Sequence, residues 1–258
     1  MAMKLTVVGS ADAMNSSGRG NSCYLLEGEA APSLMVDFGP TALASLKRLR
    51  VDLAALGGVV FTHLHGDHTG GFPLLCIETM FARSRAAELD VLGPPLSEQT
   101  LGSVFRAAYA ELEHELPERM RLSICELMPG QEREFLGYRV RAFAADHMAP
   151  PHQALCLRIS DRSGRSVAFS GDSRICPGLL DAATGADLLV ADCSRVAPPA
   201  GAHATWQEWQ ATLPTLRSKA LLLTHLGEDM RTRGPALLAE RTWPLPVSLA
   251  DDGMVIEL

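Results

Sequence analysis

Thr62-His63-Leu64-His65-Gly66-Asp67-His68 gathers three histidines and an aspartate within six residues, directly after the apolar run Gly58-Val59-Val60-Phe61. That run reads as a buried strand bounded by a turn. Residues i and i+2 of an extended chain face the same way, so His63 and His65 can reach one metal ion as the strand ends. Gly66 is expected to let the chain turn, which leaves Asp67 and His68 facing a second ion beside the first. Pro73 then opens a helical pattern through Leu74, Leu75, Ile77, Met80 and Phe81. A surface loop rich in histidine is the plainer alternative, but His and Asp at this spacing are the usual zinc-binding vocabulary.

His-x-His-x-Asp-His after a hydrophobic strand, followed by Thr69-Gly70-Gly71, resembles the signature of the metallo-β-lactamase-fold hydrolases. The resemblance implies an α/β fold, the four-layer αβ/βα sandwich. The rest of the chain agrees with it. Strand-like stretches occur at Lys4–Val8, Cys23–Leu26, Leu34–Val36, Ser123–Leu127, Tyr138–Phe143, Ala154–Ile159, Val167–Phe169, Leu188–Ala191, Ala220–Thr224 and Met254–Ile256. Helical patterns occupy Thr41–Arg48, most of 73–121 (Ser97–Leu116 included), Thr205–Arg217 and Pro235–Arg241. With neither a repeat nor a low-complexity linker, the expectation is one domain over residues 1–258.

Further candidate ligands stand where strands end, in Ala144-Ala145-Asp146-His147, Ser170-Gly171-Asp172 and Leu223-Thr224-His225. His147 and His225 taken alone read equally as core histidines. All three positions match the family's later ligand positions. The resemblance therefore implies one zinc held by His63, His65 and His147, a second by Asp67, His68 and His225, and Asp172 between them, with manganese or iron as other candidates. Within the superfamily the chain most resembles the ribonuclease Z-like branch and related small phosphodiesterases. It does so through Ser170-Gly171-Asp172 and through Gly201-Ala202-His203-Ala204-Thr205, which is similar to that branch's Gly-His-Ser-Thr element. Asp192, in Ala191-Asp192-Cys193-Ser194, stands where the branch has a glutamate, and is the expected partner of His203; the plainer reading of His203 is the lead-in to the Thr205 helix. Asp37, in Asp37-Phe38-Gly39-Pro40, either caps the following helix or, as the resemblance implies, orients the metal loop from beneath. His152 is either structural or in contact with substrate, and His114, among Glu111, Glu113 and Glu115, reads as a solvated residue.

The chain has 258 residues, 47% apolar and 21% charged, with 23 basic against 30 acidic residues and a formal charge of −7. It is long enough to bury a large core, and its acidic surface argues against polyanion binding. Neither a secretory h-region nor a membrane-spanning run is evident, and six scattered cysteines without a Cys-x-x-Cys pair read as reduced thiols, so the expected location is cytoplasmic. Two zinc ions with Asp67, Asp172 and a bridging hydroxide would leave roughly one positive charge, a match for a phosphodiester monoanion. The expected activity is therefore hydrolysis of a small or cyclic phosphodiester, with Asp67 orienting the nucleophile and His203 assisting the leaving group. Transfer-RNA-processing members of the branch commonly carry an arm between the positions held here by His147 and Asp172. That segment already reads as two strands and a turn at Ser163-Gly164, so structured RNA is the less favoured substrate. The alternatives are armless RNA processing, hydrolysis of a lactone, thioester or sulfate ester, di-iron redox chemistry, and a non-catalytic binding scaffold. His65, standing where di-iron members usually have a carboxylate, weighs against iron chemistry. The apolar positions of 73–121 suggest a homodimer in which this segment covers the partner's pocket.

Overall fold

The computed structural model describes residues 3–28, 31–82 and 88–258. One sheet contains β1 (Lys4–Gly9), β2 (Cys23–Glu27), β3 (Ser33–Val36), β4 (Leu56–Val60), β5 (Glu88–Gly93) and β6 (Arg121–Glu126), with the C-terminal β14 (Val255–Glu257) beyond β1. The other runs in the order β13 (Val247–Leu249), β12 (Leu221–Thr224), β11 (Leu188–Asp192), β10 (Ser166–Phe169), β9 (Leu155–Ser160), β8 (Tyr138–Ala144) and β7 (Glu132–Phe135). The central strands read as continuous apolar runs because they are buried on both faces. Alternate side chains go to different cores. Leu26, Val36 and Val60 meet Val140, Leu157, Phe169 and Val190 between the sheets, whereas Leu25, Met35 and Val59 face outward onto a helical layer.

That layer is α1 (Ala42–Arg48), the single turn α2 (Gly66–Thr69), α3 (Phe72–Phe81), α4 (Ser97–Ala108) and α5 (Leu116–Arg119). Phe72, Leu75, Leu101 and Phe105 supply its apolar face. The second sheet is covered by α6 (Pro177–Ala183), α7 (Trp206–Thr212) and α8 (Glu228–Ala239), with Trp206, Trp209 and Met230 fully buried against Leu189 and Leu223. The order helix, sheet, sheet, helix is the sandwich expected from the sequence. No helix among the described residues is long and apolar enough to cross a membrane.

Several element boundaries differ from the sequence reading. The helix expected to run to Leu116 breaks after Ala108, where Tyr109 leaves helical angles at φ −143° and ψ 59°. α8 starts seven residues ahead of Pro235, which was expected to open it, so this proline lies inside the helix. The short β7, β13 and α6 were not anticipated. The portion of the 73–121 helical reading that falls on 83–87 lies outside the described residues.

Parallel pairing places the functional loops along one edge. β3 and β4 pair in parallel with Val36 opposite Val60, so Asp37 emerges beside Thr62. β10, β11 and β12 also run in parallel, with Phe169 opposite Val190 and Asp192 opposite Thr224. The segments carrying His63, Asp172, Asp192 and His225 therefore all leave carboxyl ends of strands, where open α/β sheets present their ligands. The two sheets are joined at this edge: Leu155 N donates to Thr62 O at 2.9 Å and Leu226 N to Ser10 O at 3.1 Å.

Gly66 does not supply the turn expected of it. It opens α2, and a Cβ there would meet nothing within 4 Å. The constraint lies at Gly39, where a Cβ would sit 1.9 Å from the Asp67 carbonyl oxygen, and at Gly71, where it would sit 2.2 Å from the Gly39 oxygen. Backbone bonds tie these turns together: Phe38 N donates to His68 O at 2.7 Å and Gly71 N to Phe38 O at 3.0 Å. Replacing Gly39 by alanine is expected to cost about 1–3 kcal/mol, as overpacking of a filled site does, whereas Gly66→Ala should stay within about 0.5 kcal/mol. Urea unfolding of both variants measures the difference, and equal stability would show that the two turns tolerate a side chain alike.

Candidate metal centre

Asp37 is the foundation of the site. It has a left-handed φ of 60°, a conformation uncommon outside glycine, and it is buried. Its Oδ1 accepts from Thr62 N and its Oδ2 from Thr62 Oγ1, both at 2.8 Å, and Oδ2 also accepts from His68 Nδ1 at 2.8 Å. With its proton committed to Asp37, Thr62 Oγ1 is left to accept from His63 Nδ1 at 3.1 Å. One carboxylate thus fixes two imidazoles, and Asp37 serves the motif and does not cap α1, whose N-cap is Thr41.

The same logic sets the tautomers. A carbonyl can only accept, so His147 Nδ1, 3.0 Å from Ala202 O, carries the proton. His63, His68 and His147 each commit Nδ1 as a donor, which leaves Nε2 as the lone pair turned inward. His65 is reversed: its Nδ1 faces inward, 3.1 Å from His63 Nε2 and 3.0 Å from His147 Nε2.

Ligand atoms of His63, His65, His147 and Asp172 lie within 4.8 Å of one another, as do those of Asp67, His68, Asp172 and His225. Asp172 is common to both groups. It lies 3.2 Å from His68 Nε2, 3.3 Å from His225 Nε2, 3.7 Å from His63 Nε2 and 3.8 Å from His147 Nε2. Asp67 Oδ2 is 3.3 Å from His68 Nε2 and 3.6 Å from His225 Nε2. All seven residues expected as ligands are therefore brought together. His225 turns inward through a left-handed φ of 54°, held by Leu226 N on Ser10 O and Gly227 N on Ser194 O.

The residues fit a cation. His68 Nε2 and both ring nitrogens of His225 are buried without a hydrogen-bond partner, a costly arrangement for a neutral interior. Burial pushes His68 and His225 down, but Asp172 with Asp37 outweighs it for His68, and Asp172 with Asp67 for His225. His68 ends well above the usual histidine range and His225 at about 9. Burial would raise Asp172, yet His225 and His68 hold it well below the usual carboxylate range. The pattern asks for positive charge at the centre, which protons supply in the metal-free chain and a metal would supply in their place. Burial, joined by its histidine neighbours, drives His63 well below the usual range, as suits a neutral ligand.

His203 stands beside the cluster. Its Nδ1 donates to Asp192 Oδ2 at 2.7 Å and lies 4.0 Å from Asp172 Oδ2. Asp192 is fully buried and is held in turn by Ser173 N at 3.1 Å. Burial lowers His203, but the Asp192 contact outweighs it and leaves the imidazole raised. A cavity of about 770 Å³ opens over His203 and His225 and runs between Asp12–Ser16 and Gly227–Asp229. His114 and His152 are exposed and belong to none of these groups.

Sequence reasoning passed over two participants. Ala202 offers only its backbone oxygen, which no side-chain pattern reveals. Asp12 stands in a glycine-rich polar stretch with no motif around it; it is buried at the cavity wall, where it accepts from Ser16 N and Oγ at 3.1 and 2.9 Å.

The chain is similar to several known proteins. A family model described as anti-Pycsar protein Apyc1 matches residues 3–236. Among curated proteins, the uncharacterized protein Rv1339 of Mycobacterium tuberculosis is 29% identical over 230 residues, covering 88% of this chain and 81% of its own. Ribonuclease Z of Methanothermobacter thermautotrophicus is 24% identical, covering 99% of this chain and 97% of its own. The crystal structure of the metallo-β-lactamase fold protein YhfI from Bacillus subtilis superposes with a TM-score of 0.77 at 21% identity, covering all of both chains. The sandwich is thus the metallo-β-lactamase fold, and the chain belongs to the anti-Pycsar protein Apyc1 family.

Proposed function

We propose that this chain is a metal-dependent phosphodiesterase with a dinuclear centre, acting on a small or cyclic phosphodiester. The observation that carries the proposal is the single Asp172 carboxylate common to three groups of candidate ligands among the described residues, two made of the seven expected ligands and the third of Asp172, His225 and the hydrogen-bonded pair His203 and Asp192, which we read as acid-base machinery. His63, His65 and His147 would hold one zinc and Asp67, His68 and His225 the other. Bound there, the ions would supply Lewis-acid stabilisation of phosphoryl oxygens and a lowered pKa for water.

The chain's own residues account for the remainder. Asp67, partly exposed within the cluster, orients the attacking water through its carboxylate. Asp192 holds His203 Nδ1 and keeps the imidazole protonated, so that Nε2 donates a proton to the leaving oxygen. The raised pKa of His203 suits that task near neutral pH.

Three features support a small substrate. The segment between His147 and Asp172 is β9, a turn in which Asp161 caps Ser163 and Arg165, and β10, with no projecting arm. The cavity wall carries Asp12, Glu228 and Asp229 against Arg195, an acidic balance that disfavours a polyanion. Its volume of about 770 Å³ suits a ligand of nucleotide size. The relative named ribonuclease Z supports phosphodiester chemistry as such.

Protein stripped with chelator is expected to lose turnover of bis(p-nitrophenyl) phosphate and to regain it on reloading with zinc. No turnover by protein carrying two zinc ions on this diester or on cyclic nucleotides would contradict the proposal. His203→Ala should keep its zinc and lose about 10²–10⁴-fold in kcat where the leaving group is an alkoxide, as in adenosine 3′,5′-cyclic monophosphate, the range typical of a lost general acid. The loss should be smaller for p-nitrophenolate, which leaves without a proton. Equal losses on both substrates would assign His203 to another role.

A further inference from the structure

We propose that Arg174 is a positioning residue, which fastens the 199–203 loop to the metal-ligand cluster and so sets where His203 stands. The inference rests on the reading of His203 as the proton donor. Arg174 lies two residues beyond Asp172. Its backbone is anchored by its own N–H on Asp146 O at 3.1 Å, while Asp146 N donates to Ser173 Oγ at 3.0 Å. From that base the guanidinium reaches across: Nε donates to Gly201 O at 2.9 Å and Nη1 to Asp146 Oδ1 at 3.3 Å.

Three consecutive residues of the loop then each touch the site. The Gly201 carbonyl is held by Arg174, the Ala202 carbonyl accepts from His147 Nδ1, and His203 pairs with Asp192. Gly201 has a left-handed φ of 62°, and a Cβ there would meet nothing within 4 Å, while His203 N donates to Ala200 O at 3.2 Å across the turn. Among the described residues, the Arg174 and His147 side chains are the donors that grip the loop's backbone. The Asp146 carboxylate lies 3.3 Å from Nη1 in the rotamer that reaches Gly201. A side chain acting on the backbone of the neighbouring turn can govern catalysis, because small misplacements of a reacting group cost up to about 10²-fold in rate.

The test uses zinc-loaded full-length chain as wild type, Arg174→Met, Arg174→Lys, His203→Ala and the Arg174→Met/His203→Ala double variant. Two readouts are followed: steady-state cleavage of adenosine 3′,5′-cyclic monophosphate, and solvent exchange of the His203 Nδ1 proton by NMR. Arg174→Met is expected to lower kcat about 10- to 100-fold with KM within about twofold, and to speed the proton exchange, at unchanged zinc content. Arg174→Lys should recover part of both. In the His203→Ala background Arg174→Met should add no further loss, because the two act as one unit. Wild-type kcat and exchange in Arg174→Met would overturn the inference, as would a full additional loss in the double variant. A zinc-loaded wild type that cleaves no cyclic nucleotide counts against the proposed substrate class; the exchange rate then decides the inference by itself, faster in Arg174→Met upholding it and unchanged overturning it.

Discussion

A carboxylate buried among imidazoles is the constraint on which the rest of this structure depends. Asp172 has left water and has the ring nitrogens of His63, His68, His147 and His225 within 3.2 to 3.8 Å. Removing an ion from water costs several kcal/mol unless compensating charge is placed beside it. Here compensation comes from imidazoles: the other nitrogens of His68, His63 and His147 are already committed, to Asp37, Thr62 and Ala202, while both ring nitrogens of His225 lack a hydrogen-bond partner. The outer hydrogen bonds therefore decide what the inner atoms can do, and the inner atoms are suited to cations.

Holding such a centre requires both sheets. Each contributes strands that end at the same edge, and the bonds from Leu155 to Thr62 and from Leu226 to Ser10 tie the ends to one another. The core between the sheets fixes their separation, so a shift in either would spread the ligands apart. Two of the seven non-glycine residues with positive φ among the described residues, Asp37 and His225, stand at the site. Residues in these conformations persist because their surroundings impose them.

That the candidate ligands would meet was legible in the sequence because the signals are local. His63 and His65 sit at strand spacing, and His147, Asp172 and His225 each follow an apolar run, so residue type and position sufficed. The sandwich was legible for a similar reason, since strands buried on both faces leave unbroken apolar text. Long-range contacts left no such trace. The need for glycine at Gly39 comes from the Asp67 backbone, and the tautomer of His147 comes from the Ala202 carbonyl. Gly66 attracted attention by standing inside the motif, yet space around it is open. The end of α4 at Tyr109 and the passage of α8 through Pro235 show tertiary packing overriding local preference.

The arrangement makes one claim more central than the substrate, namely that Asp172 is shared between two ions. Anomalous diffraction at the zinc edge from crystals of zinc-loaded protein tests it most directly. Two peaks are expected, one among His63, His65 and His147 and one among Asp67, His68 and His225, both against Asp172. A single peak, or one seated between Asp192 and His203, would contradict it.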